Sequence, residues 1–329
     1  MRRRDFIAGL GSATIWSLSA RAQQSPSMRK IGMLVNYPSG EPDGQARINA
    51  FSGAMRKIGW IEGENLHTEI RYAGDEADLF SRYARELVEL APDVIVAGAS
   101  PTVAALQGVT HNVPVVFAGV IDPVGAGFVK SLARPGGNTT GFTVFEYSVG
   151  GKWLELLKEL APGVKRVAVI RDPSVAAGIG QFAAIQALAS SFSEMELTAI
   201  DPHDSKEFER AFSEFGGEPG GGVIVTASAS ATAHREQLFS LALRYRPPTV
   251  YPFRYYVVGG GLAAYGPDLI AIYARSAEYV DRILKGAKPA DLPVQAPTQY
   301  KLSLNLKTAK ALDLSVASNL IARADEVIE

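Results

Sequence analysis

Val94-Ile95-Val96-Ala97-Gly98-Ala99-Ser100-Pro101-Thr102 is the stretch on which the fold turns. Asp93 opens an uninterrupted apolar run, and small and hydroxyl residues close it. Such a run reads as a strand buried on both faces. Proline after a hydroxyl residue then marks the start of a helix. The same unit recurs outward along the chain. Ile31 to Val35, Val113 to Phe117, Val167 to Ile170, Val223 to Val225 and Thr249 to Tyr251 are further apolar runs. Between them lie helical faces: Ala50, Phe51, Ala54, Met55 and Ile58, then Leu79, Phe80, Tyr83, Leu87 and Val88. Apolar strands separated by amphipathic helices predict an α/β protein with parallel sheets covered on both sides.

Two features predict a pair of such sheets. Arg134-Pro135-Gly136-Gly137-Asn138-Thr139-Thr140-Gly141 is a turn-rich break. Val223-Ile224-Val225-Thr226-Ala227-Ser228 also echoes the opening stretch, and a proline-led strand follows each, at Pro114 and at Pro247-Pro248. The tail differs. Ile270, Tyr273, Ala277, Val280, Ile283 and Leu284 predict a helix, and Gly286 to Pro297 a connection. Tyr300 to Leu306 alternates apolar and polar residues as a half-buried strand does, and a short helix follows from Lys307.

Composition narrows the class. The chain has 329 residues, 47% hydrophobic and 20% charged, as globular proteins do. Arg2, Arg3 and Arg4, a weakly apolar run to Leu18 and Ala20-Arg21-Ala22 have the layout of an export signal. Cleavage is expected after Ala22, and the arginines before Asp5-Phe6-Ile7 also fit the twin-arginine route. The remainder would carry a net charge of about −4 from the formal count, which gives no electrostatic case for nucleic acid. Without cysteine, stability must come from a core rather than from disulfides. The same absence excludes a lipid-anchored cysteine after the signal, so a soluble product is expected.

Motifs for chemistry are absent. His67, His111, His203 and His234 are far apart, so no helical metal pair exists. There is no phosphate loop of the GxxxxGK[ST] kind and no GxSxG elbow. Gly125-Ala126-Gly127 and Gly178-Ile179-Gly180 lack the third glycine of a dinucleotide fingerprint and read as structural. No catalytic residue, metal ligand or cofactor is expected.

In open parallel sheets, ligands sit beyond the carboxyl ends of the strands. There the sequence offers Asn36, Tyr37, Ser100, Thr102 and Asp122 in the first half. Asp172, Ser228, Tyr251 and Phe253 take equivalent places in the second. The helix start at Ser100-Pro101-Thr102 either holds an anion or is a plain cap. Asp122 either pairs a ligand ammonium or caps a helix beginning at Pro123. Tyr37, Tyr251 and Phe253 either stack on a planar ligand or pack in the core. Arg171 and Arg254 are placed to bridge a closed cleft rather than to touch ligand.

Several stretches carry a resemblance. They include Arg2-Arg3-Arg4-Asp5-Phe6-Ile7, Gly59-Trp60-Ile61-Glu62-Gly63-Glu64-Asn65 and the break at Arg134 to Gly141. Gly260-Gly261-Leu262, Tyr265-Gly266-Pro267, Ile283 to Val294, Asn305 to Lys310 and Ala322 to Val327 complete the set. The chain resembles the exported substrate-binding proteins of ABC transporters, in the group that includes tryptophan- and tyrosine-uptake binding proteins. The resemblance implies a type I periplasmic binding fold, with two doubly wound lobes joined by three crossovers. It implies a signal at 1–22, a first lobe of 29–141 plus 266–291 and a second of 142–265 plus 292–329. A small ligand, amino-acid-like or an aromatic carboxylate, would be trapped by hinge closure and delivered to an inner-membrane permease and its ATPase. The resemblance further implies a soluble periplasmic monomer that performs no chemistry. A ligand-sensing module for a receptor and an exported α/β hydrolase are the alternatives. A gene regulator on the same fold would need a DNA-binding headpiece where the signal stands.

Overall fold

The computed structural model describes residues 28–329 except 75, 193 and 217–218. The export-signal reading, with its cleavage after Ala22, falls outside the described residues. The first sheet is built from β1 (Arg29–Val35), β2 (Leu66–Tyr72), β3 (Val94–Gly98), β4 (Val115–Val120) and β5 (Thr139–Thr143). Helices α1 (Pro42–Lys57), α2 (Ala77–Glu89) and α3 (Ala99–Gln107) connect its first four strands. The strand order is β2-β1-β3-β4-β5, and every pairing is parallel.

The chain then runs through α4 (Val149–Leu160), β6 (Arg166–Ile170), α5 (Ala176–Ala189), β7 (Glu196–Ile200), α6 (Ser205–Gly216) and β8 (Gly221–Val225). Next come α7 (Ala229–Ala233), α8 (Arg235–Tyr245), β9 (Thr249–Tyr251), α9 (Arg254–Val258) and β10 (Ala263–Pro267). Helix α10 (Leu269–Leu284) returns to the first sheet, where it packs on α1 and against β3, β4 and β5. The chain closes with β11 (Tyr300–Asn305), α11 (Leu306–Ala311), α12 (Ser318–Arg323) and β12 (Glu326–Ile328). The second sheet has the order β12-β11-β10-β9-β8-β6-β7, antiparallel only between β10 and β11.

The apolar runs became central strands because both their faces are covered: Met33, Val96, Val116, Val169 and Ile224 are all fully buried. The polar strands β2 and β7 form sheet edges, where one side of the ladder meets solvent. That is why their sequences lack an apolar run. In the stretch that reads as a break, turns end at Asn138, and Thr139–Thr143 is a buried strand. Its threonines are satisfied by the returning chain: Thr140 Oγ1 donates to the Leu292 carbonyl at 2.6 Å, and Thr143 N to the Gln295 carbonyl at 2.8 Å.

Asp268 joins the two sheets at a crossing point. Its carboxylate accepts from Ala271 N at 3.1 Å, capping α10 on the first sheet. It also binds Lys301 Nζ at 2.6 Å, on β11 of the second. Burial raises its pKa, but the Lys301 ammonium and the helix-end amides together outweigh this and hold it below the usual value. A depressed carboxylate stabilises the fold above its unfolded pKa of about 3.9 and loses that contribution as pH falls through the folded value. Asp268→Ala should therefore lower stability at pH 7 by about 0.5–2 kcal/mol, the ordinary worth of a cap. In urea titrations repeated down the acid limb, the gap between the two proteins should narrow. A gap constant to the lowest pH would show that the charge is not what Asp268 contributes.

Candidate functional site

A cavity of about 520 Å³ lies between the carboxyl ends of the two sheets. Asn36 and Tyr37 follow β1, Ser100 and Pro101 follow β3, and Ile121 and Asp122 follow β4. Asp172 and Ser174 after β6, Ala227 and Ser228 after β8, and Phe253 after β9 face them from the second sheet. The structure thus brings Asn36, Tyr37, Ser100, Asp122, Asp172, Ser228 and Phe253 onto one cavity.

Two of the expected residues lie elsewhere. The Thr102 side chain is fully buried, with its hydroxyl donating back to Gly98 O and Ala99 O at 2.9 Å. Helix α3 also begins earlier than the sequence suggested. Gly98 is the cap and Ser100 lies in the first turn, beyond Ala99 at φ 69°. A threonine one turn into a helix bonds the preceding carbonyls rather than a ligand. Tyr251 is fully buried in the core of the second sheet, stacked on Tyr256 at 5.0 Å. Strand alternation turns it away from the cleft, and Tyr255 lines the cavity instead.

Asp122 is held firmly. It adopts a left-handed backbone at φ 44°, and its Oδ1 accepts from Gly125 N at 2.8 Å. It therefore closes a turn at Pro123, since no helix forms there. Its Oδ2 accepts from the Tyr147 hydroxyl, whose pKa burial and this bond push upward. The Tyr147 ring rests on Gly180 of α5, where an added Cβ would come within 2.7 Å of it. Gly178 allows a similar approach, since its Cβ would stand 2.0 Å from Asp172 O. The glycine pair of this segment thus serves close packing of the cavity wall.

Asp172 is 5% exposed, with Oδ1 accepting from Ser174 N at 2.9 Å and from Ser174 Oγ at 2.6 Å. Ser228 Oγ accepts from Ala231 N at 3.0 Å, so this hydroxyl caps α7 at the cavity edge. Asp122 and Asp172 put carboxylates on both walls.

The sequence reading missed Arg47, Tyr255, Tyr273 and Arg235, which also line the cavity. All come from helices whose approach to the cleft is a tertiary matter. The Arg47 guanidinium lies over Tyr37 at 5.5 Å and over Tyr255 at 5.7 Å. Burial pushes the Tyr37, Tyr255 and Tyr273 hydroxyls upward, so all three stay neutral phenols.

The rims are charged in opposite senses. Arg235 of α8 is 3.8 Å from Glu41, and Arg254 of α9 is 3.6 Å from Asp43. Glu326 on β12 orients Arg254 through contacts of 2.6 Å to Nε and Nη2. Arg254 therefore bridges the cleft as the sequence suggested. Arg171 does not, and lies over the Phe182 ring at 5.3 Å. Acid on one rim and arginine on the other favour approach of the lobes, more so when water leaves the gap.

Among the described residues no helix is long and apolar enough to cross a membrane, and no group of three or more histidines and acids could hold a metal.

Residues 30–328 match the family described as ABC transporter substrate binding protein. The tyrosine-binding protein of Clostridioides difficile is 27% identical over 296 residues, covering 88% of this chain and 81% of that protein. A conserved domain protein of Vibrio cholerae is also 27% identical, with a TM-score of 0.82 over 92% of this chain and 100% of that one. A ligand-free, open substrate-binding protein with adhesive properties from Clostridium difficile is 26% identical. Its TM-score is 0.71, covering 92% of this chain and 99% of that one. Two parallel-sheet lobes, a cavity between their strand ends and a family match spanning both agree: the chain belongs to the ABC transporter substrate-binding protein family.

Proposed function

We propose that this protein captures a zwitterionic amino acid with an apolar or aromatic side chain and presents it, lobes closed, to an ABC permease and its ATPase. It works after export as a soluble periplasmic monomer, processed after Ala22, and performs no chemistry on its ligand. The lobes are 29–141 plus 266–291 and 142–265 plus 292–329, with each boundary at β5 and β10 moved by two residues so that the first lobe keeps β5 to Thr143 and the second keeps β10 to Pro267. The observation that carries the reading is the lining of the cavity. Its walls are largely apolar, yet Asp122, Asp172 and Arg47 converge on it with the hydroxyls of Ser100 and Ser228. Acid for an ammonium, cation for a carboxylate and Phe253 and Tyr255 for a side chain make up an amino-acid site. The tyrosine-binding relative supports that class of ligand.

Native mass spectrometry of the protein from Gln23 onward, purified without denaturant, tests this. An adduct with the mass of an amino acid is expected, exchanging for added L-tyrosine or L-tryptophan. A thermal shift on adding either should accompany it, of about 2.7 kcal/mol in stability at a hundredfold excess over Kd. A protein stabilised by sugars but by no amino acid would overturn the reading.

A further inference from the structure

Arg47 is the least explained charge in the cleft. It sits on α1, in the wall of the cavity, and is half-buried. No hydrogen bond or ion pair joins its guanidinium to any other described residue. It acts on Asp43, one turn back on the same helix, beyond ion-pair distance. Asp43 offsets its charge but accepts none of its N–H groups, and half-buried donors without acceptors call for a partner.

The geometry says which kind. Tyr37 and Tyr255 lie over the guanidinium, one from each sheet. The rings take none of its hydrogen bonds, and all five N–H donors of arginine point outward in the plane of the guanidinium. A planar acceptor with two oxygens fits it bidentately. A singly charged carboxylate suits this cavity better than a phosphate, because Asp122 and Asp172 would repel a dianion. The start of α3 lies in the same wall, where the Ala99 and Ser100 amides have no intrahelical acceptor and Pro101 has no N–H.

We propose that Arg47 reads the ligand carboxylate and sets specificity for acids over neutral analogues. The assignment rests on the amino-acid reading above. Because Tyr255 belongs to α9 of the second lobe, the aromatic clamp on Arg47 is complete only when the lobes are closed. The residue that holds the carboxylate is thus also gripped by closure.

The test is calorimetric titration of the wild-type protein, Arg47→Met and Arg47→Lys with L-tyrosine and with L-tyrosinamide, and with the corresponding L-tryptophan pair. Melting curves without ligand establish that each variant is folded. The wild type should prefer acid to amide by roughly 10- to 100-fold, the range of charge-assisted hydrogen bonds. Arg47→Met should bring that ratio near one by losing affinity for the acid alone. Arg47→Lys, with charge but no planar fork, should fall between. An acid-to-amide ratio unchanged in folded Arg47→Met or Arg47→Lys overturns the role of Arg47 and leaves the amino-acid reading standing. A wild type that binds neither acid nor amide overturns both.

Discussion

Asp122→Asn is expected to weaken binding of L-tyrosine, or of whichever amino acid the protein carries, by roughly 30- to 5000-fold. That range follows from the 2–5 kcal/mol lost when one partner of a desolvated charge pair is neutralised. The substitution isolates charge. Asn tolerates the left-handed backbone that Asp122 adopts at φ 44°, as few other residues do. Its side-chain oxygen can still accept from Gly125 N, which Asp122 holds at 2.8 Å. The turn should therefore survive, and a melting curve without ligand should show it. The desamino analogue of tyrosine, which has no ammonium, should bind the variant at least as well as it binds the wild type. Equal affinity of both proteins for the amino acid would sink the assignment of the ammonium to Asp122.

Gly141→Ala should have the largest effect on stability. Gly141 sits on β5 at φ 152°, paired with Phe117 on β4. A Cβ there would stand 2.1 Å from Phe117 O and 2.6 Å from Phe117 N, both backbone atoms of the neighbouring strand. Neither can move without opening the pairing. The Gly141 carbonyl also accepts from Gln295 N at 2.9 Å, so the distortion reaches a crossover between the lobes. Backbone strain and steric conflict together should cost about 3–5 kcal/mol, or about 5–15 °C in melting temperature. Gly137→Ala is the control. It lies in the same turn-rich stretch, with φ outside the left-handed region and nothing within 4 Å of an added Cβ. Comparable melting of the two variants would show that Gly141 carries no special constraint.

The fold was legible wherever a strand is covered on both faces. Val94 to Ala97 could be read at once because a fully buried strand has no reason to alternate. β2, with Leu-His-Thr-Glu-Ile-Arg-Tyr, could not, because an edge strand needs little apolar surface. The cleft was legible in part for a related reason. Parallel topology fixes which end of each strand carries the ligand loops, so Asn36, Ser100, Asp122 and Ser228 could be named from strand order alone. What lies one step beyond the strand end depends on local rotation. Tyr251 ends β9 and Tyr255 lies in α9 four residues on, yet one is core and the other cavity wall. Arg47 was silent, since an arginine beside Ile48 and Phe51 on an amphipathic helix looks like any solvated position. Only the packing of α1 beside the cleft brings it to the cavity wall.

The return of α10 to the first sheet has a consequence for the order in which the molecule can assemble. The first lobe is encoded mostly by residues up to Thr143, but its covering helix is residues 269–284. Phe51 and Met55 of α1 and Val116 of β4 share one apolar cluster with Ile272, Tyr273 and Val280 of α10. A chain emerging from its amino end must hold that surface unpaired until five of the seven strands of the second sheet have been made. Contacts so distant along the sequence make for slow closure of the fold. The isolated segment 29–143 should accordingly be sticky and poorly ordered, although every strand of its sheet is present.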